Sequence, residues 1–117
     1  MATTPADVTE LVEQTLDWVT HGDPNSTDLI AVTTSEYPIA AQDLGFRGND
    51  ERIVSLTEFI REDESSCTVE IAMLVDGTTT LPDNLTLAFG QDDRRTYPSH
   101  REGLIAFYTW CGGGQVS

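Results

Sequence analysis

The segment Cys67-Thr68-Val69-Glu70-Ile71-Ala72-Met73-Leu74-Val75 decides the fold. Cys67, Val69, Ile71, Met73 and Val75 recur at every second position, and successive side chains of a strand point to opposite faces, so the run reads as a strand with one apolar face. Glu62-Asp63-Glu64-Ser65-Ser66 before it is an acidic turn. Further upstream, Arg52 to Glu62 admits two readings: Ile53, Leu56 and Ile60 suit a helix, whereas Val54, Leu56 and Ile60 with polar Glu58 suit one face of a strand. We take the strand, with which the acidic turn closes a hairpin. Downstream, Asp76-Gly77 opens a polar loop through three threonines to Pro82, and Leu85-Thr86-Leu87-Ala88-Phe89 alternates again before Gly90 stops it.

The flanks are more mixed. Leu29-Ile30-Ala31-Val32-Thr33-Thr34 is short, β-branched and bounded by turn formers, the pattern of another strand. Residues 37–50, with Pro38, Gly45 and Gly48, read mostly as loop, with Ile39, Leu44 and Phe46 docking on the core.

A helix is signposted at each end of the chain. Thr4 can cap, Pro5 suits the first helical position, and Asp7 meets the positive end of the helix dipole. Val8, Leu11, Val12, Leu16 and Val19 then fall near helical spacing, leaving Glu10, Glu13, Gln14 and Asp17 wet, until His21-Gly22 and Asp23-Pro24-Asn25 turn the chain away. Ser99 caps the last helix, Glu102 completes a capping box, and Leu104, Ile105, Phe107, Tyr108 and Cys111 form an apolar stripe. Gly112-Gly113-Gly114 stops it and begins an expected flexible tail. The order is helix, strands, helix without βαβ alternation. It specifies an α+β fold: an antiparallel sheet of about four strands flanked by an N-terminal and a C-terminal helix packed on one face, in a single domain over residues 1–117. The other face is left to solvent, or to a second copy of the chain in a homodimer.

Charge sets the function classes. The 117 residues hold 20 Asp and Glu against 6 basic residues, a net charge of −14, and every basic residue is arginine. The lack of lysine excludes P-loop phosphate binding, Schiff-base catalysis and Ser-x-x-Lys acyl transfer, each of which needs that amine. A field this negative repels a phosphate backbone, so direct nucleic-acid binding is not expected. No window is apolar for the length a membrane span requires, and Met1-Ala2-Thr3-Thr4-Pro5 has neither the basic nor the apolar part of a secretion signal. A cytoplasmic location is the expectation. Cys67 and Cys111, each in an apolar run, then read as buried free thiols.

Chemistry-bearing patterns are sparse. His21 sits where a cation suits a helix C-terminus, and His100, although next to Ser99, belongs to a capping box in which neighbouring side chains point apart. No zinc or EF-hand spacing occurs, the acids are scattered rather than paired in a pocket, and the glycine run follows a helix where a phosphate cradle would precede one. We therefore assign no catalytic residue, no cofactor and no metal. Asp92-Asp93-Arg94-Arg95 with Arg101 reads as local salt bridging that ties a loop to the last helix, or as an arginine anchor for a partner. Trp18, Tyr37, Tyr97 and Trp110 are candidate aromatic anchors, half or more of them expected in the core.

Two explanations compete for the acidity. In one, the surface carries the function: a small acidic protein binds a basic partner and occupies a site meant for nucleic acid. Immunity proteins that neutralise toxic nucleases, and inhibitors of nucleic-acid machinery, share that logic of size and charge. The expected partner-binding residues are Glu58 and Glu70 on the open sheet face and Glu62, Asp63 and Glu64 in the turn. In the other, the acids are a high-salt adaptation of a cytoplasmic domain, with a small-molecule pocket lined by Tyr37, Met73, Phe89 and Tyr97 and a hydrolase or isomerase activity.

Overall fold

A computed structural model describes residues 5–21, 28–48, 52–74 and 85–114. The elements run α1 (Pro5–His21), α2 (Asp28–Glu36), β1 (Ala40–Gly48), β2 (Arg52–Ile60), β3 (Ser66–Leu74), β4 (Leu85–Phe89), β5 (Asp93–Tyr97) and α3 (His100–Cys111). The strands form one five-stranded antiparallel meander in chain order, β1-β2-β3-β4-β5. This is the expected α+β class, with a strand and a helix more than the sequence pattern suggested.

Register explains the layering, because residues directly opposite in a ladder share a face. Phe59, Cys67 and Phe89 form one cross-strand row, and Thr57, Val69 and Leu87 the next. Of these, Phe59, Cys67, Val69 and Leu87 are buried in the cluster that also takes Val8, Leu11 and Val12 of α1, Leu29 of α2, and Leu104, Phe107 and Trp110 of α3. Phe107 stands at its centre, with its ring centroid 4.8 Å from that of Phe59 and 5.1 Å from that of Tyr108. All three helices therefore lie on one face. Gly103 lets α3 approach closely: a Cβ there would come 2.8 Å from the Cβ of Leu85 on β4. One buried hydroxyl ties two helices together. The Thr15 hydroxyl contacts Leu11 O at 3.0 Å and Tyr108 Oη at 2.7 Å, linking α1 to α3.

Three local expectations are corrected. Residues 29–34 are helical, within α2. Leu29, Thr33 and Tyr37, spaced by four, are the buried positions, and the hydroxyls of Thr34 and Ser35 fold back on Ile30 O and Val32 O at 2.8 and 2.9 Å. Packing thus overrides the β propensity of a short β-branched run. Residues 37–50 are not mostly loop, because Ala40–Gly48 is the edge strand β1. Its alternation is broken by a bulge: Asp43 pairs with Thr57 and Gly45 with Leu56, so Leu44 has no opposite number and is exposed rather than docked on the core. Gly45 adopts φ +91°, and its N–H donates to Asp43 Oδ1 at 2.8 Å. Ile39 does pack against the core, and the side chain of Phe46 lies outside the described residues. Finally, Asp93–Tyr97 is the strand β5, not a loop bound to the last helix.

Both terminal helices match their signals. Val8, Leu11 and Val12 are buried, while Glu10, Glu13, Gln14 and Asp17 are exposed. Ser99 caps α3, its hydroxyl accepting from Glu102 N at 3.2 Å. Ile105, expected in the apolar stripe, is exposed. At the far end, Gly112, Gly113 and Gly114 donate back to Tyr108 O, Trp110 O and Thr109 O at 3.1, 3.0 and 2.9 Å, with Gly113 at φ +87°. Thr4, residues 22–27, the polar loop after residue 74 and the last three residues lie outside the described residues.

Candidate functional site

The β2–β3 turn and the open face of its two strands hold the five acids read as a partner surface. Arg61 N donates to Ser65 O and Glu64 N to Arg61 O, both at 2.9 Å, so Glu62, Asp63 and Glu64 form a three-residue loop. Glu64 occupies its left-handed position at φ 71°, a conformation glycine usually supplies.

The five carboxylates separate into two kinds. Asp63 builds the turn: its Oδ1 accepts from Ser65 N at 2.9 Å and its Oδ2 from Arg61 Nη2 at 3.2 Å. Hydrogen bonds from the Ser65 hydroxyl and backbone N–H, reinforced by Arg61, hold its carboxyl below the usual aspartate range. Glu70 is buried on the open face, where Arg94 Nη2 reaches over from β5 to its two oxygens at 3.2 and 3.1 Å. Glu58, Glu62 and Glu64 form no ion pair among the described residues, and Glu62 and Glu64 are exposed. Glu58, half-buried, is the diagonal neighbour of Glu70, since Glu58 pairs with Thr68 and Leu56 with Glu70.

The arginines are engaged too. Arg95 pairs with Asp93 at 3.0 Å in its own strand, and Arg101 pairs with Glu13 of α1. The loop-to-helix salt bridging expected of Asp92 to Arg95 is therefore a set of contacts within the sheet. Those four pairs take every arginine whose side chain is described.

Arg61 also organises the neighbouring surface. Its Nε donates to Ser65 Oγ at 2.8 Å and its Nη1 to Trp110 O at 3.0 Å, and its guanidinium lies 4.7 Å from the centre of the Trp110 ring. A cation thus closes the carbonyl end of α3. Beside it opens a cleft of about 560 Å³, walled by Glu36 to Ile39, by Arg61 to Asp63, and by Cys111 to Gly113. Sequence reading missed this cleft. Its walls are far apart in the chain, and Glu36 and Arg61 carry no local signal.

The expected aromatic pocket does not assemble there. Tyr37 lines the cleft and stacks on Tyr108 at 6.3 Å, whereas Phe89 packs 6.1 Å from Trp110, Tyr97 lies opposite Leu85 in β5, and the side chain of Met73 is outside the described residues. Burial pushes the Cys67 thiol up to about 12 and raises that of Cys111 as well, so neither is a ready thiolate. His100 is buried at the start of α3, and the Ser99 hydroxyl is occupied by capping. Among the described residues no three His, Cys, Asp or Glu side chains converge to hold a metal, and no helix is long and apolar enough to cross a membrane.

No protein-family model, curated protein or solved structure matches the chain.

Proposed function

We propose that this protein is a non-enzymatic binder that inhibits or neutralises a basic protein partner by covering a surface that would otherwise meet nucleic acid. The observation that carries the reading is the division of labour in the β2–β3 hairpin: Asp63 and Glu70 are spent on internal arginines, while Glu58, Glu62 and Glu64 are left without an ion pair among the described residues. Charges that enter no ion pair among the described residues remain available to steer and hold a cationic surface. Placing them around a rigid three-residue turn also limits the ordering cost of association.

A second reading is favoured by one observation. Glu10, Glu13 and Asp17 are exposed along α1, on the helical side of the sheet, so acidity is not confined to the hairpin. A solvated surface adapted to high salt would be acidic on all sides.

The test begins with circular dichroism from dilute buffer to molar potassium chloride. Next, basic proteins are captured from the native cell by the wild type and by an E58Q/E62R/E64R variant, and each captured protein is identified and titrated. Folding in dilute buffer, with affinity for one basic protein reduced tenfold or more in the variant, is the expected outcome. Folding only in concentrated salt, or capture unchanged by the substitutions, overturns the proposal.

A further inference from the structure

The cleft beside Arg61 has an electrostatic sign that can be worked out from its walls. Glu36 stands at the end of α2, and Glu62 and Asp63 form the turn opposite. The third wall, Cys111 to Gly113, is the C-terminal end of α3, whose carbonyls at Tyr108, Thr109 and Trp110 are already met by Gly112 to Gly114 and by Arg61, so it adds no positive charge of its own. Against these stands one cation, Arg61, and its Nε, Nη1 and Nη2 already donate to Ser65, Trp110 O and Asp63, with the Trp110 ring against its face. An anionic ligand would have to displace those bonds, whereas a cation meets Glu36 and Glu62, both exposed. The floor is different in kind: Tyr37, Pro38 and Ile39 give it an apolar lining suited to the methylene stem of a long basic side chain. At about 560 Å³ the cleft has the volume of a small-ligand site, ample for one such side chain with part of its backbone.

We propose that the cleft takes one arginine side chain of the protein partner, its guanidinium between Glu36 and Glu62 and its stem over Tyr37 and Ile39. The assignment rests on the partner-binding reading for the source of the arginine. The cavity, its apolar floor and Glu36 are observations separate from the hairpin acids. Guanidinium is favoured over ammonium because the acceptors come from separate walls, which a planar fork of five donors can reach in several directions at once. Glu62 belongs to both the cleft and the hairpin surface, so an arginine bound here would seat the partner against the rest of the turn.

The experiment is an NMR titration of the ¹⁵N-labelled protein, at the lowest salt in which it is folded, with N-acetyl-arginine amide, its lysine counterpart, and the neutral isostere N-acetyl-citrulline amide. The expected result is saturable shifts at Tyr37, Ile39, Glu62, Gly112 and Gly113 with blocked arginine. Binding should be weaker for lysine, at least tenfold weaker for citrulline, and weakened about fivefold by Glu36→Gln, the loss of one exposed charge contact. Shifts spread equally over Glu10, Glu13 and Asp17 of α1, equal binding of citrulline, or no shift at all each overturn the assignment. Because no partner enters the titration, a failed capture experiment would remove the proposed function and leave the cleft standing. A flat titration would remove the cleft and leave the hairpin surface standing.

Discussion

The two faces of the sheet are built from the same five strands and do opposite work. On the covered face, Phe59, Val69, Ile71, Leu85 and Leu87 are at most 1% exposed and share one core cluster with side chains of the helices. The other face carries Leu56, Glu58, Ile60, Thr68, Glu70, Thr86, Ala88, Arg94 and Thr96 by register, none of them under a helix. The covered face holds the fold together, and the open face is organised by lateral contacts, such as Arg94 on Glu70 and Thr86 Oγ1 against Thr96 Oγ1 at 3.2 Å. Stability and candidate function are therefore separable by mutation.

The strongest way to break this contrast is to truncate one residue on each face. Phe107→Ala removes the ring at the centre of the cluster and should cost about 3–5 kcal/mol, enough to unfold a marginal domain. Leu56→Ala on the open face should cost only about 1 kcal/mol, because that side chain is already partly exposed. Urea unfolding of both variants tests the pair, and a comparable loss for Leu56→Ala would mean that something covers the open face.

The alkaline limb of stability sharpens the same contrast. Burial lifts Cys67 and Tyr108, both on the covered side, to about 12 from ordinary values of 9.0 and 10.0. A folded-state value raised above the unfolded one contributes stability that is fully present below about pH 9 and is lost as the pH climbs to 12, because the unfolded chain releases these protons first. The thermal midpoint should fall across that window, and less steeply in Cys67→Ala than in the wild type once each is referred to its own value at pH 8. A flat profile would show that these groups are not buried as described.

The smallest effect belongs to the turn. Glu64→Gly relieves a left-handed residue and should raise stability by up to about 1 kcal/mol, read as a higher urea midpoint, while removing one of the proposed partner contacts. A gain in stability with a loss of partner affinity is the expected signature, and a loss of both would assign Glu64 a structural role.

What the sequence revealed follows from how local each signal is. The alternation of Cys67 to Ile71, the caps at Ser99 and Gly112, and the spacing of Val8, Leu11 and Val12 each specify structure within a few residues, and each is found as read. The missed elements depend on partners distant in the chain. β1 hides its alternation behind the bulge at Leu44, and α2 is a helix because Leu29, Thr33 and Tyr37 find cover, not because its residues favour helices. β5, Asp93-Arg94-Arg95-Thr96-Tyr97, is polar enough to read as loop and is a strand because β4 has a free ladder beside it. Of the five acids named as a surface, their shared hairpin was legible, but the engagement of Asp63 and Glu70 was not, since it requires Arg61 and Arg94 to be placed in three dimensions.

The bulge at Asp43–Gly45 also blunts an exposed edge of the sheet. A meander ends in two strands with unpaired backbone groups, which invite another chain to add on. In dilute buffer a net charge of −14 opposes such pairing, but at molar salt, where charges are screened within about 3 Å, that repulsion weakens. Local geometry has to take over: β5 presents Asp93 and Arg95 before Pro98, and β1 is bent out of register just where a flat edge would otherwise serve as a template for polymerisation.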